Sequence, residues 1–243
     1  MEGPIRRGFD RPDLPLIVVS SVAPFEGGPL TILEQAVGDA RGFEGANFLF
    51  LVHDAGRGDP GGNLRFLAVP WARRSYARRI FAEYVWFPTL SRRWTPDVWL
   101  SLNDTTPPVS ARTQAVYCHN PLPYWRPTAR DFRMDPRQVL VSFAYGLVYR
   151  TFARRNDYIV GQLPWYTRFI GEYMHAPRDL WLVVVPRSGR NPEISHTGGR
   201  SVLDNPRRAR LECVYVSLPR VFKNFEEAID LCDQPGVGLT LTI

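Results

Sequence analysis

Lysine is almost missing from this sequence: of 30 basic residues, 29 are Arg and one is Lys223. Cysteine is scarce as well. Cys118, Cys213 and Cys232 are odd in number and far apart, which excludes a disulfide framework or a thiolate zinc site and predicts a reducing, cytoplasmic setting. The strongest apolar runs, Leu16–Val19 and Asn47–Val52, have strand length and fall far short of the roughly 18 residues of a membrane span. No long apolar segment follows Met-Glu-Gly-Pro-Ile-Arg-Arg, so no secretory signal is expected. Also missing are zinc spacings, HExxH, a Walker lysine, CxxC, G-x-S-x-G and any Asp-x-Asp pair to hold a metal against a diphosphate. Neither a metal nor a cofactor is expected.

What is present describes a folded protein. Hydrophobic residues make up 44% of the chain and charged ones 22%, enough apolar mass to offset the entropy of ordering a core. The net charge of +6 is uneven, because Arg65–Arg93 holds seven Arg and one Glu and so supplies +6 by itself. Such a local excess predicts an anionic partner.

Near-continuous apolar runs alternate with helical patterns. Strands are expected at 16–20, 47–53, 64–69, 98–102, 114–119, 158–161 and 180–185, and helices at 29–41, 71–87, 137–155 and 165–175. This alternation predicts an α/β fold with a doubly wound, mostly parallel sheet over residues 1–186. Residues 187–210 are rich in Gly, Pro, Asn, Ser and Arg and are expected to be a linker. The pattern restarts over 211–243 as a strand at 211–217, a helix at 224–232 and a strand at 237–243. A unit of that size seldom folds unaided, so the second domain is expected to be incomplete.

The candidate ligand contacts lie at the carboxyl ends of strands or at helix starts. Gly27 and Gly28 precede Pro29 at the start of a helix, where backbone and dipole favour an anion; a plain turn is the alternative. His119 ends a strand and enters a Pro-stiffened loop, suited to orienting a polar ligand or only to bonding the loop. Asn103 and Asp104 end the preceding strand and either line the same rim or cap a turn. Arg220 and the sole lysine, Lys223, sit between a strand and a helix, a suitable place for a diphosphate. Gly56–Gly61 spells G-x-G-x-x-G but leads into a strand, so it is expected to be a tight connection. Trp71–Phe87 is expected to be an amphipathic helix. Either it packs on the sheet with solvated arginines, or it and its neighbours, including Trp94, lie on an acidic bilayer.

Taken in order, Gly27-Gly28-Pro29, Pro96-Asp-Val-Trp-Leu-Ser-Leu-Asn103-Asp104, Val116-Tyr-Cys-His119-Asn-Pro, Asp157-Tyr-Ile-Val-Gly-Gln162 and Tyr215-Val-Ser-Leu-Pro-Arg220-Val-Phe-Lys223-Asn224 resemble the N-terminal domain and hinge of retaining glycosyltransferases of family four. The resemblance implies the GT-B fold, with two Rossmann-like domains, the first receiving the acceptor. It implies a nucleotide-sugar donor (UDP- or GDP-linked) and a glycan or lipid-linked acceptor in surface polysaccharide biosynthesis. It further implies Arg220 and Lys223 on the diphosphate, His119 near the donor sugar as the catalytic position, and Gly27 and Gly28 as the family's glycine loop. Metal independence and retention through front-face attack follow from the same likeness. The family's Glu-x7-Glu motif would lie beyond Ile243. The alternative is a catalytically inactive Rossmann-like binding module. Docking at the inner face of the cell membrane is a further expectation, whereas no nucleic-acid partner is expected.

Overall fold

The computed structural model describes residues 5–22, 27–54, 61–120, 122–123, 125–184, 211–214, 229 and 239–242. In chain order these form β1 (Leu16–Ser21), α1 (Gly27–Arg41), β2 (Asn47–Val52), β3 (Leu64–Ala68), a 3-10 segment (Pro70–Arg74), α2 (Tyr76–Phe81), a π-helical turn (Ala82–Trp86), α3 (Phe87–Trp94), β4 (Val98–Ser101) and β5 (Thr113–Cys118). Then come α4 (Ala129–Met134), α5 (Pro136–Arg150), β6 (Tyr158–Gly161), α6 (Pro164–Tyr173), β7 (Trp181–Val183), β8 (Leu211–Val214) and β9 (Leu239–Thr242). The expected linker lies outside the described residues, as does the helix expected at 224–232 except for Ile229.

The protein is α/β, with a Rossmann-like, doubly wound fold. Its seven-stranded sheet has the order β3-β2-β1-β4-β5-β6-β7, and every pairing is parallel. The strand order reverses between β1 and β4, which makes their carboxyl ends the topological switch point. The apolar runs of β1 and β2 are continuous because these inner strands are covered on both faces. On one face, Val19, Phe50, Leu64, Leu102 and Tyr117 pack with Leu33, Val37 and Ala40 of α1. On the other, Leu16, Val18, Leu49, Leu51 and Trp99 meet Ala82, Phe87 and Trp94. Farther along that sheet, Val116, Cys118 and Ile159 meet Tyr149, Tyr166 and Ile170.

Asp97 and Asp157 hold the amino ends of the strands. Asp97 Oδ2 accepts the Leu16 N–H at 2.8 Å and an Arg6 Nη2 hydrogen bond at 2.7 Å. Asp157 Oδ2 likewise accepts the Gln114 N–H at 2.8 Å. Each carboxylate therefore joins two adjacent strands at the end opposite the switch point.

The chain divides into two compact units, Met1–Tyr124 with Ala144–Arg187, and Trp125–Phe143 with Ser188–Ile243. The first contains the seven-stranded sheet. In the second, β8 and β9 pair in parallel from Leu211 with Leu239 to Val214 with Thr242. Its α4 opens on a capping box, with Thr128 and Asp131 satisfying each other's backbone N–H.

The helix expected over 71–87 is not one helix. Trp71 lies in the 3-10 segment, and Ser75 starts α2 by accepting the Arg78 N–H at 3.2 Å. Pro88 then has no N–H for the Tyr84 carbonyl, and its ring would crowd that carbonyl. The backbone widens into a π turn instead, in which the Phe87 N–H bonds Ala82 five residues back. Among the described residues, no helix is long and apolar enough to cross a membrane.

Candidate functional site at the switch point

Past β4 the chain makes one more sheet-like bond, Leu102 N–H to the Ser20 carbonyl at 2.9 Å, and then turns. Asp104 takes a left-handed conformation with φ of 62°, which Asp tolerates better than most residues. This turn aims its carboxylate at the end of β5. Oδ1 accepts the backbone N–H of His119 at 2.7 Å and of Asn120 at 3.2 Å. The His119 ring, 15% exposed, has Nδ1 3.3 Å from the same oxygen. That is ion-pair reach for a protonated ring, though off the line of a hydrogen bond.

The loop after His119 is fixed from beneath. The Asn120 carbonyl accepts the Tyr166 hydroxyl at 2.7 Å and the Tyr149 hydroxyl at 3.3 Å, while its side-chain oxygen caps the Leu122 N–H at 3.1 Å. Burial, reinforced by the Asp104 charge, pushes the Tyr149 phenol and the Cys118 thiol well above their usual values. Tyr166 is raised by burial, then by Cys118 and Asp104. These groups stay neutral near pH 7, so Cys118 is no thiolate nucleophile and the phenols serve as hydrogen-bond donors.

The loop after β4 is fixed as firmly. Leu102 to Thr106 are all buried. Glu83, 2% exposed, pairs through Oε1 with Arg79 Nε at 3.0 Å and accepts the Thr105 hydroxyl through Oε2 at 2.6 Å. Arg79 Nη2 donates to the Asn103 carbonyl at 2.8 Å, and Nη1 reaches the Tyr145 hydroxyl at 3.4 Å. Burial works against the Arg79 charge, yet Glu83 and Tyr145 hold its pKa above the ordinary guanidinium value. Asn156 Nδ2 bonds the Thr106 hydroxyl at 2.7 Å, and Gln114 Nε2 the Pro107 carbonyl at 2.6 Å.

The residues predicted from sequence are distributed as follows. Asp104 and His119 come together, with Asn103 beside them. Asn103 and Asp104 are only 2% and 4% exposed, so Asp104 acts by positioning His119 and its loop. Gly27 begins α1, and a Cβ on exposed Gly28 would meet nothing within 4 Å; no packing demand explains that glycine. Arg220 and Lys223 lie outside the described residues. Arg79, expected at the side of a surface helix, is instead turned inward. Its spacing to Glu83 was a visible signal, since residues four apart share a helix face. Tyr145, Tyr149 and Tyr166 carried no sequence signal, and Asn120 stood only as the neighbour of His119 in a quoted string. Among the described residues, no group of three or more His, Cys, Asp or Glu is placed to hold a metal ion.

No protein-family model matches the chain, and no curated protein matches it.

Proposed function

We propose that the protein takes part in retaining transfer of a sugar from a UDP- or GDP-linked donor to a glycan or lipid-linked acceptor of surface polysaccharide biosynthesis. The observation that carries the reading is the rim at the switch point. There a buried Asp104, just past β4, orients His119 at the carboxyl end of the neighbouring β5, beside the β1–β4 crevice to which the sheet order directs ligands. The likeness of the ordered sequence strings to family-four glycosyltransferases supplies the reaction class.

In this reading His119 holds the hydroxyls of the donor sugar or the incoming acceptor, and Gly27 and Gly28 let a ligand approach the start of α1. Arg220 and Lys223 neutralise the donor diphosphate. The bond from the anomeric carbon to the diphosphate oxygen breaks, and a bond to the acceptor oxygen forms on the same face. The acceptor proton leaves with the diphosphate. No step calls on a metal or a resident cofactor. The work is done in the cytoplasm, with contact at the inner face of the membrane that carries lipid-linked acceptors.

Calorimetry of the full-length protein with a panel of UDP- and GDP-sugars tests the reading. One donor class should bind, and Lys223→Ala should weaken it by about 1.5–3 kcal/mol, the contribution of a charge-assisted hydrogen bond. Failure of every donor to bind, or identical affinity in the variant, would remove the diphosphate assignment and favour the inactive binding module.

A further inference from the structure

Between the 3-10 segment and the helix that follows it lies an open groove of about 550 Å³, lined by Trp71, Ala77, Arg78, Phe81 and Trp86. The π turn shapes it. Phe81 and Trp86 are five residues apart and would diverge on a regular α-helix, but the wider turn brings both against Trp71. The Trp71 ring centroid lies 6.1 Å from that of Phe81 and 5.3 Å from that of Trp86.

The segment that carries the groove is apolar and cationic at once, and Arg78 lines the groove itself. Tyr76, Ile80, Phe81 and Val85 are each more than half exposed. Arg74, Arg78, Arg92 and Arg93 are exposed too. The sole carboxylate of Arg65–Arg93, Glu83, is buried against Arg79, so the charge this segment turns outward is positive only. Trp94, counted by sequence among the aromatic residues for a membrane surface, faces the core at 7% exposure.

We propose that this groove and its arginines dock on an anionic lipid bilayer, with Ile80, Phe81 and the ring-walled cleft reaching the acyl boundary and the arginines meeting lipid phosphates. Charge complementarity selects an anionic occupant. The aliphatic Ile80 and Val85 select a lipid surface over a nucleic acid, whose phosphates and bases give exposed aliphatic side chains no matching partner. The inference is independent of donor chemistry, because its failure leaves nucleotide-sugar binding as it was.

Co-sedimentation of the 243-residue chain with phosphatidylserine–phosphatidylcholine vesicles at low salt is the test. Binding is expected to these vesicles and to be absent with phosphatidylcholine alone. Each arginine contributes about fivefold to partitioning, so Arg74→Gln/Arg78→Gln should lose about 25-fold. Ile80→Ser, which leaves charge unchanged at an exposed site, should lose roughly tenfold. Absence of binding to anionic vesicles would overturn the proposal, and displacement by duplex DNA would assign the surface to nucleic acid. Full binding by Ile80→Ser would reduce the contact to unspecific charge attraction and overturn the role of the groove.

Discussion

Replacing Glu83 with Gln tests whether the Arg79–Glu83 pair holds the loop after β4. The carboxylate is 2% exposed, makes one ion pair and accepts one hydroxyl. Gln keeps the shape but leaves the Arg79 guanidinium buried without its counter-charge. Breaking a buried pair from one side costs about 3–5 kcal/mol. For a body of this size each kcal/mol moves the midpoint by about 2–4 °C, so Glu83→Gln should melt about 6–20 °C lower. Arg79→Met should fall in the same range, since it removes the bonds to Asn103 and Tyr145 as well. The double variant Arg79→Met/Glu83→Gln should cost less than the sum of the singles, because neither charge is then stranded. Thermal and urea unfolding followed by circular dichroism measure all three. Additive losses below about 1 kcal/mol each would mean a pair as weak as one on the surface, and the reasoning would fail.

Other consequences follow from the packing. Burial would raise the Asp97 carboxyl, but hydrogen bonds from Arg6 and the Leu16 N–H, with the Arg6 and Arg112 charges, hold it below its usual value. Its stabilising effect is therefore complete above about pH 4 and disappears as pH falls through the lowered folded-state value. Asp97→Asn should flatten that part of the stability curve, measured by urea titrations at acid pH; an unchanged slope would contradict the pairing. Gly161 ends β6 where a Cβ would collide with the Thr167 side chain and lie 3.3 Å from the Thr167 Cα, so Gly161→Ala should cost about 1–3 kcal/mol by overpacking α6. A neutral result would show that α6 shifts freely.

The sheet was largely legible because parallel strands covered on both faces must be apolar throughout, as in Leu16–Val19 and Phe48–Val52. Ends were less so: β7 is confined to Trp181–Val183, and α4 was missed because its capping box opens only six residues of helix. Part of the familiar wording of the sequence serves the fold. Asp97 and Asp157, each within a string that carried the family resemblance, bind strands together at the end far from the switch point. At the site, His119 and Asp104 were named from position along the chain and offered as neighbours on one rim, but the bonds from the His119 and Asn120 N–H groups to the Asp104 carboxylate were not foreseen. The Asp104 turn depends on a left-handed backbone that the string Asn-Asp-Thr-Thr does not impose. Arg79 resembled its exposed neighbours Arg74 and Arg78 in composition. Its spacing to Glu83 was the one local difference, and the contacts to Asn103 and Tyr145 that complete its inward placement are long-range.

The central claim, that the rim around His119 serves glycosyl transfer, is tested most directly by following radiolabelled sugar from UDP- and GDP-linked donors into a glycan or lipid-linked acceptor fraction, with the full-length protein and its His119→Ala variant side by side. The account predicts that one donor class transfers label. It also predicts that His119→Ala lowers turnover at least about tenfold, equivalent to 1.4 kcal/mol of barrier, while the thermal midpoint stays nearly unchanged, because the loop is held by backbone N–H bonds to Asp104 that the variant retains. No transfer from any donor, or a His119→Ala variant that melts early yet turns over normally per folded molecule, would contradict it.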